Sequence, residues 1–204
     1  MIGNDIVDWA QAKRESNWQR NGFLAKIFTQ SEQRYIREAS SPERMVWTLW
    51  SLKESVYKAN LRTTGNRIFA PQKIACQLNI NQNEVAEGTA SYGTIYRIRA
   101  SLTEQYVSSV AFQVDDSFPH KEVVVSFDNM SYAHQHTRLY EQLAQNCATA
   151  LLMPLHAVCI HKSENGVPTL HVTSSVGQRM TIPVSLSHHG YYGAFVMAHS
   201  QHLL

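Results

Sequence analysis

Apolar residues at Met45, Val46, Leu49, Leu52 and Val56 recur at steps of three and four, which predicts a helix with one face on a core. Ser40-Ser41-Pro42-Glu43 opens it, with a serine as cap and Pro42 in the first turn. Glu54 and Lys58 stand one turn apart on this helix, off the apolar stripe and beside Trp50. A glutamate four residues before a lysine is also the ordinary surface pair of a solvated helix. The spacing alone does not choose between the two.

Residues 1–9 form a strand candidate in which Ile2 and Ile6 face one way and Gly3, Asp5 and Val7 the other. Asp5 is then an acid within an apolar strand, a costly placement unless positive charge lies beside it. Asp8 is suited to cap a helix beginning at Ala10. Arg20-Asn21-Gly22 is a break, residues 23–28 a short apolar helix, and Thr29-Gln30-Ser31-Glu32 a capping box for the next. After a loop at Thr64-Gly65-Asn66, alternation predicts strands over 74–80, 91–99 and 108–114. Asp115, Asp116, Ser117 and Pro119 mark a linker. The pattern then restarts, with a strand over 122–127, a helix over 132–153, a strand over 158–161, a turn at Glu164-Asn165-Gly166, and strands over 180–186 and 191–198.

The second half can be laid on the first. Residues 98–105 fall on residues 182–189 at an offset of 84, which also pairs Cys76 with Ile160 and Asn81 with Asn165. The expected architecture is α+β, two similar modules packed as a pseudo-dimer and spanning 1–117 and 118–204. Their chemistry is complementary. The first has Asp5, Glu54 and Lys58, but Thr103-Glu104 where the second has Ser187-His188. The second opens on Val123-Val124-Val125, with Ala144 and Ala148 at the places of Glu54 and Lys58. One composite site across the interface, its mirror image lost, accounts for that division.

Charge changes this picture little. Residues 1–73 hold twelve Lys/Arg against seven Asp/Glu, and residues 74–204 six against nine, so the front favours an anionic partner. A dense basic stripe with interleaved aromatics is missing, which argues against nucleic acid. Apolar runs stay well short of a membrane span, and the N-terminus lacks signal-peptide order, so the expected location is the cytoplasm. Cys76, Cys147 and Cys159 have no CxxC spacing and read as buried thiols in a reducing compartment. His134 and His136 would turn about 200° apart on a helix and do not chelate together. His120, His199 and His202 read as solvated.

Asp5 and Glu54 are hard oxygen donors suited to magnesium, which keeps room for water and phosphate oxygens. Lys58 can neutralise a phosphoryl group, and His188 can donate to a phosphate from across the cleft, with Ser187 and the backbone near Gly190 beside it. The set points to phosphate transfer rather than acyl transfer, because no nucleophile–base–orienter arrangement is present.

At these residues the sequence resembles the 4'-phosphopantetheinyl transferase superfamily. Gly3-Asn4-Asp5-Ile6-Val7-Asp8 resembles its opening strand, and residues 23–29 with Glu32 its next short motif. Trp50-Ser51-Leu52-Lys53-Glu54-Ser55-Val56-Tyr57-Lys58 resembles its signature helix, followed by Phe69-Ala70-Pro71. Gly166-Val167-Pro168 is similar to its Gly-x-Pro turn and Val184-Ser185-Leu186-Ser187-His188 to its closing strand. The order of motifs follows the small holo-acyl-carrier-protein synthase type, carried here in a two-module chain. The resemblance implies transfer of phosphopantetheine from coenzyme A to a serine of an apo acyl or peptidyl carrier protein, releasing adenosine 3',5'-bisphosphate. Asp5 and Glu54 would hold Mg2+, Lys58 would assist transfer, and Ser187 and His188 would contact coenzyme A phosphates. The serine proton would go to Glu54 or to a metal-held water. Gln11, where the small type often has a basic residue, and the scarcity of lysines around Gly166 depart from the pattern. Arg14 and Arg44 are candidates to meet an acidic carrier helix, and Tyr191-Tyr192 either stack on adenine or pack in a core. A monomer is expected. The rival functions are a non-catalytic coenzyme A- or carrier-binding module and a magnesium phosphohydrolase.

Overall fold

The computed structural model describes residues 1–80, 85–114, 120–163 and 166–198. The chain runs β1 (Ile2–Asp8), α1 (Trp9–Glu15), α2 (Phe23–Ile27), α3 (Gln30–Glu38), α4 (Pro42–Thr64), β2 (Ala75–Ile80), β3 (Val85–Tyr92), β4 (Thr94–Leu102) and β5 (Tyr106–Gln113). It continues with β6 (His120–Ser126), α5 (Tyr132–Ala150), β7 (Val158–Lys162), β8 (Pro168–Thr173), β9 (Arg179–His189) and β10 (Tyr192–Ala198). The expected junction at 117–118, its linker and the histidines at 199 and 202 lie outside the described residues.

The fold is α+β, with two antiparallel sheets of the same order. The first runs β1-β5-β4-β3-β2 and the second β6-β10-β9-β8-β7. Each sheet packs one long helix, α4 or α5, against its own core. The offset of 84 that aligns the sequence halves carries β2, β3, β4 and β5 onto β7, β8, β9 and β10. The modules meet along β1, which lies against β9 and β10, with Ile2, Val110 and Val196 forming a small shared core.

Local chemistry explains the front elements. Asp8 accepts from the amides of Ala10 and Gln11 at the start of α1, and Thr29 and Glu32 close a capping box on α3. Pro42 sits in the first turn of α4, and Gly65 ends that helix in the left-handed conformation. Val46, Leu49, Leu52 and Val56 are fully buried, as the helical stripe requires. Four readings need correction. Cys76 and Cys147 are buried, but Cys159 points out from β7 and is exposed. The strand expected over 91–99 is a hairpin, because Gly93 turns the chain between β3 and β4. Strand β8 was not anticipated. His120 is not simply solvated: it lies on β6, bonded to Glu122 and against the Phe112 ring.

Candidate active site

Gly3, Asp5 and Val7 alternate toward α4, as the strand pattern predicts. A Cβ on Gly3 would lie 2.1 Å from the Ser55 carbonyl oxygen, so only glycine lets β1 come this close to the helix. Two residues on, Asp5 is buried and its Oδ1 accepts from Lys58 Nζ at 2.9 Å. Glu54, one turn before Lys58, is pushed up to about 7, first by burial and then by the Asp5 carboxylate, with Lys58 opposing. Thus a single lysine serves two carboxylates in a half-enclosed place.

Those acids line a cleft of about 510 Å³ together with His188 and His189 from the second module, Glu15 and Arg20, and the rings of Trp47 and Trp50. Burial, and after it the Lys58 charge with smaller contributions from His136 and His189, lowers the His188 imidazole below its ordinary value. Its ring stands edge-on to Tyr132 at 5.7 Å, at the start of α5. The structure therefore brings Asp5, Glu54, Lys58 and His188 together across the module interface.

Ser187 is placed differently. Successive residues of β9 point to opposite faces, and Ser185, Ser187 and His189 all turn toward β1. The Asn4 amide donates to Ser185 Oγ at 3.1 Å, Asn4 Nδ2 to Ser187 Oγ at 3.0 Å, and the Asp8 amide to His189 Nδ1 at 3.1 Å. Since β1 is the edge of its sheet, Ser185 and His189 satisfy outward backbone amides that another strand would otherwise pair, while Ser187 holds the Asn4 side chain. Ser187 is buried in that contact and does not line the cleft.

Other residues support the acids. Lys53 is fully buried and pairs with the equally buried Glu32 at 2.8 Å, while also donating to the carbonyls of Pro71 and Ile74. Lys53 lies four residues after Leu49, on the buried stripe, which is the signal that identifies it. Phe69 packs its ring against Trp50 at 5.6 Å and Tyr57 at 5.1 Å, bracing the side of α4 that carries Glu54. Tyr192 packs at a tilt against Tyr106, whereas Tyr191 is exposed beside Trp9, Lys13 and Arg44 in a neighbouring groove. His136 stacks on Tyr140 and His134 pairs with Asp128, so those two histidines do part company.

No group of three or more His, Cys, Asp or Glu residues suited to a metal occurs among the described residues. The donors nevertheless fit magnesium, which is held by one or two carboxylates and completed by water and phosphate oxygens. Burial and the nearby Asp5 carboxylate make the charged form of Glu54 costly, a cost that a divalent cation between two hard carboxylates would relieve. Among the described residues, no helix is long and apolar enough to cross a membrane.

A family model described as the 4'-phosphopantetheinyl transferase superfamily matches residues 1–123, which include β1, α4 and all of the first sheet. No curated protein matches the chain.

Proposed function

Because the chain belongs to the 4'-phosphopantetheinyl transferase superfamily, we propose that it moves the 4'-phosphopantetheine group of coenzyme A onto a serine of an apo acyl or peptidyl carrier protein. One observation carries this reading: a cleft lined by Asp5 and Glu54 of one module and His188 of the other. Opposed acids and imidazole are what a bound diphosphate with a metal ion requires, and neither module has both.

In this reading Asp5 and Glu54 would hold magnesium, which when bound offsets charge on the diphosphate oxygens. Lys58, fixed by Asp5, faces the phosphoryl group and neutralises the charge that develops as the leaving group departs. His188 donates to a donor phosphate from the opposite wall. The carrier serine oxygen bonds to the β-phosphorus while the bond to adenosine 3',5'-bisphosphate breaks. The serine proton goes to Glu54 or to a water held beside it. Ser187 ties β9 to β1 through Asn4 and leaves donor contact to His188.

Incubating the protein with coenzyme A, magnesium and a panel of apo carriers tests the proposal by intact-protein mass spectrometry. The carrier gains the phosphopantetheine mass with the wild type, and at least about a hundredfold more slowly with Glu54→Gln. A folded wild type that modifies no carrier, or that releases inorganic phosphate without one, overturns it.

A further inference from the structure

The Asp8 amide points at His189 Nδ1, and His189 Nε2 lies 3.1 Å from Glu15 Oε2. A backbone N–H can only donate, so Nδ1 must be bare and Nε2 must carry the hydrogen that Glu15 accepts. Both ring nitrogens of a half-buried histidine are thus committed, one to β1 and one to α1. The next residues are held as well. Gln135 Nε2 donates to the Gly190 carbonyl, the Tyr191 amide donates to Asp8 Oδ2, and Gly190 has φ +58. A Cβ there would lie 2.3 Å from Asp8 Oδ2. His188, by contrast, makes no side-chain hydrogen bond among the described residues, and its ring stands against the edge of Tyr132.

We propose that His189 is a positioning residue: as the neutral Nε2-protonated tautomer, it pins the end of β9 to the first module and so holds His188 against the donor phosphate. The inference rests on the donor-binding reading above and extends it to a residue outside the reacting set. His189 acts through His188, since the two side chains leave the strand on opposite faces and the anchored backbone is what they share.

Coenzyme A titration calorimetry on wild type, His188→Ala, His189→Ala, His189→Asn, His189→Gln and the double alanine variant tests this, with thermal melts to confirm folding. His189→Ala binds coenzyme A about tenfold more weakly, the cost of losing the hydrogen bond that ties the end of β9 to the Asp8 amide. Asparagine places an acceptor where Nδ1 stood and restores most of that affinity, whereas glutamine does not. The double variant binds no more weakly than His188→Ala. Nitrogen NMR of the free wild type reports a protonated Nε2 on His189. Wild-type affinity in His189→Ala, additive losses in the double variant, rescue by glutamine instead of asparagine, or a protonated Nδ1 overturns the proposal alone. A folded wild type that binds no coenzyme A removes the donor reading, and this proposal with it.

Discussion

Glu54 is where the fold and the proposed chemistry conflict. Burial and the Asp5 carboxylate push it up to about 7, whereas a glutamate in an unfolded chain titrates near ~4.3. With the folded value the higher one, its contribution to stability is complete below the unfolded value and is lost as pH rises through about 7. Glu54→Gln is therefore expected to stabilise the protein at pH 8 by roughly 3 to 4 kcal/mol, with little effect at pH 4. Magnesium should raise the melting temperature of the wild type at pH 8 and leave the variant unmoved. Melting curves that shift equally at both pH values contradict this account of Glu54. At this scale the sequence was informative where chemistry follows spacing. Asp5, Glu54 and Lys58 could be grouped from strand alternation and one helical turn. The roles of Ser185, Ser187 and His189 could not, because they depend on which edge of β1 meets β9, and no local pattern encodes that contact.

At the scale of elements, β1 and α4 position the acids, and the closeness of their packing is set by Gly3. Gly3→Ala forces a methyl group to 2.1 Å from one backbone atom of α4 and 2.5 Å from another, neither on a flexible side chain. It should cost at least about 3 kcal/mol in a denaturant titration and abolish transfer by moving Asp5 away from Lys58. A stable, active Gly3→Ala protein would show that the strand has freedom this packing denies. Helices α3 and α4 were legible because their caps and apolar stripe agree. Most of strand β3 lies before the strand expected over 91–99, because its run of small residues (Ala86, Gly88, Ala90) carries little hydrophobic contrast. Strand β8 begins on Pro168, which reads as a turn and masks the alternation of buried Leu170 and Val172 that follows.

The whole molecule repeats one module twice and lines one cleft with acids from the first copy and an imidazole from the second. That arrangement was legible from the offset of 84 and from the complementary losses, Val123-Val124-Val125 against Asp5 and Ala144 against Glu54. The way β9 side chains close the β1 edge was not. With both halves of the cleft in one chain, no second copy is needed to complete it. Light scattering should give the mass of a single 23.2 kDa chain at micromolar concentration, and a trimer would contradict this. The account stands on carboxylates from one module and an imidazole from the other gripping the same ligand. A crystal soaked with coenzyme A and magnesium tests that most directly. The predicted map has the ion on Asp5 and Glu54, the diphosphate against it, and His188 within hydrogen-bonding distance of a donor phosphate. Coenzyme A bound elsewhere, or bound here with His188 turned away from every phosphate, would contradict it.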